Sequence, residues 1–345
     1  MQLKTYISVI CCVFFFVAHS QQSDTLSIVE IHSKKDSILK ITVINSNVPH
    51  YILTKDKLNE LASEDIGDAL RFIPGTYIKD YGGIGGLKTI SYRSLGAAHT
   101  KVEIDGIILP NTQTGTVNLS NFDVFSIEQL EMTSGQVQNH YSTASSYTSS
   151  NLLSIKSNLF VRSKQDTKIR ILGSASTINA YQTGLLFQQN INQRFSIGAQ
   201  GLYSFGSGKY PFNIQNIDSA YSANRINSDL ENIQLKGALN YDWKKLKIHF
   251  NTTFNKNFQK LPGAVILYNP YNDQNLRLRT INSTISVQYK LKKYAIGLNS
   301  FFQDAQTVYR DNQFLNPLGF LENEYNNKVY GSGFIINNFD PFLTT

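Results

Sequence analysis

Lys245-Leu246-Lys247-Ile248-His249-Phe250-Asn251-Thr252-Thr253-Phe254 decides the fold. Leu246, Ile248, Phe250, Thr252 and Phe254 fall on one side of an extended chain. Lys245, Lys247, His249, Asn251 and Thr253 fall on the other, because successive side chains of a strand point to opposite faces. Thr284 to Leu291 repeats the pattern, with Ile285, Val287, Tyr289 and Leu291 opposing Thr284, Ser286, Gln288 and Lys290. Phe195-Ile197-Ala199-Gly201-Tyr203, Leu235-Gly237-Leu239-Tyr241-Trp243 and Tyr294-Ile296-Leu298 do the same. Period-two alternation over segments of about ten residues is the signature of strands with one face to lipid and one to a polar lumen.

Aromatic residues fall near the ends of these segments (Tyr241, Trp243, Tyr289, Tyr294, Phe301, Phe302), as interfacial girdles require. A soluble β-sandwich also alternates, but with strands of about 5–6 residues. Here tight junctions, Trp243-Lys244-Lys245 and Lys290 to Lys293, alternate with long connections, Gly206 to Asp229 and Phe258 to Arg277. That asymmetry fits short turns on one side of a membrane and longer loops on the other. No segment after the N-terminus is long and apolar enough for a transmembrane helix, so a membrane location requires a barrel.

Upstream of Ser150 the texture is different. Thr54 to Phe72 reads as helical, with Ser63 a candidate N-cap before Glu64 and Asp65 and the pair Pro74-Gly75 as a stop. Thr76 to Lys79, Lys88 to Arg93 and Thr100 to Ile104 read as short strands around the cluster Gly82-Gly83-Ile84-Gly85-Gly86, with a turn at Asp105-Gly106. Ser126 to Thr133 reads as a short helix running into a strand. Residues 50–135 are therefore a small mixed α/β unit. The fold class is a membrane all-β antiparallel partial barrel preceded by a small α+β domain, with the division at 151/152.

Residues 1–20 carry one charge, Lys4, before an apolar run from Tyr6 to Ala18 and the small residues Ala18 and Ser20. The run is shorter than the ~20 residues of a spanning helix, so it reads as a cleaved export signal. Both cysteines, Cys11 and Cys12, lie inside it. Of the 345 residues, 41% are hydrophobic, 12% aromatic and only 17% charged, which excludes a disordered chain. The net charge of +7 is spread along strands and at their ends, so contacts with anionic lipid or lipopolysaccharide are expected and nucleic acid is not.

Catalytic and cofactor patterns are missing. The glycine cluster lacks the Gly-Lys-Ser/Thr of a phosphate loop, the histidines have no metal spacing, and no Gly-x-Ser-x-Gly elbow occurs. No enzyme activity, cofactor or metal is expected.

Residues 71–135 resemble the plug domain of TonB-dependent outer-membrane receptors. The resemblance is carried by Ile73-Pro74-Gly75-Thr76-Tyr77-Ile78, Tyr81-Gly82-Gly83, Ile90-Ser91-Tyr92-Arg93, Val102-Glu103-Ile104-Asp105-Gly106-Ile107 and Ile127-Glu128-Gln129-Leu130-Glu131-Met132 with Ser134-Gly135. It implies a signal over 1–20, a periplasmic leader over 21–49, the plug over 50–151 and a partial transmembrane barrel over 152–345. Asp24-Thr25-Leu26-Ser27-Ile28-Val29 looks like a TonB box, which would pair by strand addition with a TonB-type energy-coupling protein. Ile38 to Ile44 is a second, poorer candidate.

The resemblance further implies import of a small molecule, cobalamin or a ferric siderophore, across the outer membrane of a Gram-negative cell. Leu95 to Val102 looks more like the cobalamin branch. Ligand contacts are expected from the plug apices, Tyr81, Gly82, Gly83, Asn111 and Gln113, and a polar lock between plug and barrel from Arg93. The chain departs from the family at Arg93-Ser94, where Arg-Gly is usual, and in the loosened run Tyr141 to Ser146. Family barrels have about 22 strands, whereas residues 152–345 allow about nine or ten. A fragment of a longer receptor, or a truncated product, is expected on that ground. The alternative function is a non-transporting outer-membrane or secreted β-rich binding protein.

Overall fold

The computed structural model describes residues 50–61, 63, 65–81, 86–109, 115–135, 144–159, 165–177, 179–215, 220–262, 272–314 and 317–338. The first domain is a five-stranded sheet flanked by two short helices and a hairpin. In chain order its elements are β1 (His50–Thr54), α1 (Lys55–Glu60), α2 (Ile66–Leu70), β2 (Thr76–Asp80), β3 (Lys88–Tyr92), β4 (Thr100–Ile104), β5 (Ile107–Ile108), β6 (Ile127–Ser134) and β7 (Asn151–Ser157). The sheet order is β1-β6-β7-β4-β5, with β4 and β7 parallel, while β2 and β3 form a separate hairpin. Leu53, Leu58, Leu70, Leu130, Met132 and Leu153 are fully buried and form its core.

Two local expectations are corrected. The helical stretch expected from Thr54 to Phe72 is broken in two, and Asp65, not Ser63, caps the second helix by accepting the Asp68 N–H at 3.1 Å. The tertiary structure forces the break. Asp65 must stay extended to bridge Asp123, to let the Ile66 N–H reach the Phe122 carbonyl, and to meet the Lys88 ammonium at 2.6 Å. The helix expected from Ser126 is a single 3-10 turn, Val124–Ser126, capped by Asp123, and Ile127 already begins β6. β6 is paired on both sides, by β1 and β7, and that ladder overrides the local helical preference.

The second part is one antiparallel sheet of β8 (Thr167–Ser176), β9 (Ala180–Asn190), β10 (Phe195–Gly206), β13 (Leu230–Trp243), β14 (Leu246–Leu261), β15 (Gln274–Lys290), β16 (Tyr294–Asp311) and β17 (Leu321–Asn338). A small hairpin, β11 (Pro211–Gln215) and β12 (Ala220–Asn224), stands in the connection between β10 and β13. Neighbours in sequence pair throughout, and among the described residues β8 and β17 are the two edges of an open wall. Among the described residues the wall has eight strands, against the nine or ten expected. The division is also later than 151/152, because β7 hydrogen-bonds inside the first sheet, between β6 and β4.

β13 to β17 have 14 to 18 residues each, longer than the ten expected. Phe258 to Arg277, expected as one long loop, is partly strand, since β14 runs on to Leu261 and β15 begins at Gln274. Connections at one end are short, at 191–194, 244–245 and 291–293. At the other end 207–229, 262–273 and 312–320 are longer, while 177–179, between β8 and β9, is short.

The polarity of the wall is inside out. Ile171 is 78% exposed and Phe334 67%, whereas Gln188, Ser196 and Gln234 on the other face are buried. Exposed aliphatic and aromatic side chains continue through Leu185, Leu235, Leu239, Leu298 and Ile336. A continuous apolar face of that extent is unstable in water and stable against lipid.

Candidate functional site: the seam between plug and wall

The buried polar face of the wall meets the first domain along a seam built from three points of the chain. The first is the turn Asp105-Gly106. It links β4 to β5 with Ile104 opposite Ile107, and both turn residues have positive φ, 52° and 84°. A two-residue turn of this kind needs left-handed backbone, which Asp and Gly tolerate. The turn was expected, but the role of its carboxylate was not. Asp105 is buried and accepts the Ser157 N–H at 2.8 Å, the Ser157 hydroxyl at 2.7 Å and the Asn251 side-chain amide at 3.3 Å. Burial raises its pKa, opposed by these donors and by Lys236 of β13.

The second point is the 3-10 turn before β6. Asp123 accepts the Ser126 N–H at 2.7 Å and its hydroxyl at 2.6 Å. From the wall, the Gln200 amide donates to that hydroxyl, and the Gln234 carbonyl oxygen lies 3.1 Å from it. Gln234 also donates to the Asn121 carbonyl at 3.4 Å. The third point is Leu159, whose carbonyl accepts the Asn240 amide at 3.0 Å.

Between these polar contacts lies a dry patch of Phe125 and Leu159 from the first domain against Leu186, Leu202 and Ala238 from the wall. Two wall glycines make room for it. A Cβ at Gly198 would sit 2.7 Å from Leu159 Cδ2, and one at Gly184 3.1 Å from Phe125 Cε1. Glycine inside a strand often marks such a close approach. That was the one sequence signal for this surface.

The N-terminal elements attach to the seam from behind. The Lys55 ammonium is buried and donates to the Val124 carbonyl at 2.7 Å. Burial, then the charge of Arg170, lower its pKa to about 8. Lys88 is buried between Asp65, at 2.6 Å, and Asp68, at 3.0 Å. Burial opposes its charge, but the carboxylates outweigh it and raise its pKa. A cleft of about 810 Å³ opens beside these groups toward β8, β9 and β10, lined by Lys55, Asp65, Lys88, Asp123, Arg170 and Gln182 among others.

Of the residues singled out from sequence, Asp24 to Val29, Gly82, Gly83, Asn111 and Gln113 lie outside the described residues, as does Ile38 to Ile44. Tyr81 is exposed just beyond β2, where its N–H donates to the Leu87 carbonyl and Lys79 lies 4.7 Å from its ring centroid. Arg93 is corrected. It is exposed, in a left-handed turn at φ 50°, with its guanidinium 5.5 Å from the Tyr92 ring centroid. Among the described residues contacts between plug and wall are made by Asp105, Ser126 and Leu159. Among the described residues no group of His, Cys, Asp and Glu could hold a metal.

A sheet-and-hairpin domain seated on the polar face of an apolar-faced antiparallel wall is the arrangement of a plug against part of a β-barrel. Residues 42–146 match the family model described as "TonB-dependent Receptor Plug Domain". Over 117 residues, 34% of this chain and 19% of the relative, the sequence is 26% identical to the vitamin B12 transporter BtuB of Vibrio vulnificus. The fold is similar to that of the copper transporter OprC, with a TM-score of 0.63 at 10% identity, over 84% of this chain and 44% of that one. It is also similar to the ferric yersiniabactin uptake receptor FyuA of Yersinia pestis, with a TM-score of 0.58 at 13% identity, over 83% and 45%. Residues 42–146 thus match the plug domain of TonB-dependent receptors, and the fold of plug and wall together is similar to part of solved structures of such receptors. The chain spans less than half the length of the solved structures it matches.

Proposed function

We propose that the protein is an outer-membrane receptor that imports a scarce small molecule, of the cobalamin or ferric siderophore class, through a barrel closed by its plug. The observation that carries this reading is the seam. Asp105, Ser126 and Leu159 hold the plug sheet against the polar face of the wall by a few polar contacts and one small apolar patch. Such a joint holds the plug at rest and can be rearranged without unfolding the wall.

In this reading residues 1–20 export the chain. Asp24 to Val29 add as a strand to a TonB-type protein, which supplies energy from the inner membrane. Tyr81 and the apices around Gly82, Gly83, Asn111 and Gln113 meet the ligand, and no bond of the ligand is broken. The test is uptake of labelled cyanocobalamin and of a labelled ferric siderophore by cells carrying the protein. Deleting Asp24 to Val29 is expected to abolish uptake and leave surface binding intact. Undiminished uptake would overturn the coupling role. Binding without any uptake by the unaltered protein would favour the non-transporting alternative.

A further inference from the structure

The cleft of about 810 Å³ between the plug and strands β8, β9 and β10 carries a charge that its own residues do not balance. On the wall side it is lined by Ser176, Ala180, Phe205 and Leu230, at the end of the wall from which 207–229 emerges. On the plug side it reaches Asp80 and Lys88, the cross-strand partners next to Tyr81 at the end of the β2–β3 hairpin. The cleft thus runs inward from one of the apices expected to meet the ligand.

The acids of the cleft are taken up. Asp65 pairs with Lys88 at 2.6 Å, and Asp80 lies 3.7 Å from Arg71 and 3.9 Å from Lys88. Asp123 accepts both donors of Ser126. Lys55 donates to the carbonyls of Val124 and Phe125, at 2.7 and 3.4 Å, and Asp123 and Glu128 offset part of its charge. Arg170 of β8 is different. It stands opposite Leu186, on the side of the wall that meets the plug, and its charge works against that of Lys55. Its Nη1 is buried with no hydrogen-bond partner among the described residues, and it forms no ion pair within 4 Å there. A buried charged donor without an acceptor is costly. Around it the lining is hydroxyl and amide, from Asn121, Ser174, Gln182, Ser204, Asn232 and Asn257. Asn232 Oδ1 is itself buried with no donor.

We propose that the cleft is a subsite for the imported molecule, in which Arg170, with Lys55 beside it, takes one acidic group, a carboxylate or a phosphate ester, while Asn232 and its neighbours take neutral polar groups of the same molecule. A guanidinium presents a fork suited to either acid, and a few placed polar groups fix a ligand's orientation in a cavity. The subsite rests on the receptor reading and narrows its substrate class. One uncompensated guanidinium matches a singly charged cargo. A multiply charged one would set its remaining charges against Asp65, Asp80 and Asp123.

The experiment titrates the purified full chain, in neutral detergent, with dimethyl phosphate, acetate and citrate by isothermal calorimetry. R170A is expected to bind the first two roughly tenfold more weakly, the effect of losing one charged hydrogen bond. R170K should keep part of the affinity, K55M should lose less than R170A, and K328A, whose cation is paired with Asp304, should titrate as the unaltered chain. A preference for dimethyl phosphate supports the site and assigns a phosphate ester, and a preference for acetate supports it and assigns a carboxylate. Equal titration of the unaltered chain and R170A, or no binding of any probe, overturns the site. Citrate bound more tightly than both overturns the singly charged class. Undiminished uptake by cells carrying R170A overturns the role in import. A chain that titrates as expected but imports nothing overturns the receptor reading and leaves an anion site standing.

Discussion

Asn251, on the lumen face of β14, donates its side-chain amide to the buried carboxylate of Asp105 at 3.3 Å, across 146 residues of chain. The same carboxylate holds the backbone N–H and hydroxyl of Ser157, at the end of β7. One aspartate thus ties the last plug strand to the wall. Such a group is costly to bury alone and valuable when fully paired.

Removing it should therefore separate the two effects. Asp105→Ala is expected to destabilise the plug by about 2–3 kcal/mol, since it leaves buried donors unpaired. Asn251→Leu is expected to cost less, as Ser157 remains to satisfy Asp105. Hydrogen exchange at the Ser157 amide checks this. Asp105→Ala should speed it strongly and Asn251→Leu weakly, and equal effects would mean that Ser157 is not held through Asp105.

Wall glycines should behave as sockets. Gly198→Val places a side chain where Cβ alone would lie 2.7 Å from Leu159. Overpacking of this kind costs about 1–3 kcal/mol. Limited proteolysis in detergent should cut the plug of this variant faster, and combining it with Leu159→Ala should reverse the effect. The same substitution at Gly201, where the nearest atom is 3.6 Å away, should leave cleavage unchanged.

Lys55 gives the plug a pH dependence of known sign. Its folded pKa is lowered from 10.5 to about 8, chiefly by burial. Between those values the unfolded chain holds the proton and the folded chain does not. Stability attributable to this residue therefore rises with pH from about 8 to 10.5, and below that window the penalty of burying the charge is complete. The gain should be about 2–3 kcal/mol, since one pKa unit corresponds to about 1.4 kcal/mol. Denaturant titrations of the unaltered chain and of Lys55→Met should diverge with pH in this window. Parallel curves would refute the assignment.

The two faces of one strand should differ in what they tolerate. Leu239 points outward and Asn240 toward the plug. Leu239→Arg is expected to cost about 2–4 kcal/mol in a bilayer and to block insertion into vesicles. Asn240→Ala should insert normally and lose only its bond to the Leu159 carbonyl. Flotation of the two variants with lipid vesicles distinguishes them.

Most of the architecture was legible because it is written in neighbouring residues. Alternation from Lys245 to Phe254 showed which side chains share a face. Thr76 to Lys79, Lys88 to Arg93 and Thr100 to Ile104 each became strands at or within a residue or two of the expected limits. Local reading failed where a distant partner overruled it. Asp65 interrupted the expected helix and capped a new one because Lys88 and Asp123 held its backbone extended. Strands β14 and β15 outran their expected length because pairing continues above the point where the outer face turns charged.

The seam was not legible. Arg93 was the arginine singled out for a lock, yet it lies exposed over its neighbour Tyr92, while Asp105 was read only as a turn. Period-two patterning fixes which face of a strand is polar, because it depends on backbone geometry repeated every second residue. It says nothing about which polar residue meets which. Contacts such as Asp105 with Asn251, Ser126 with Gln200 and Leu159 with Gly198 join parts of the chain that no local rule relates, so only the packing of plug on wall could select them.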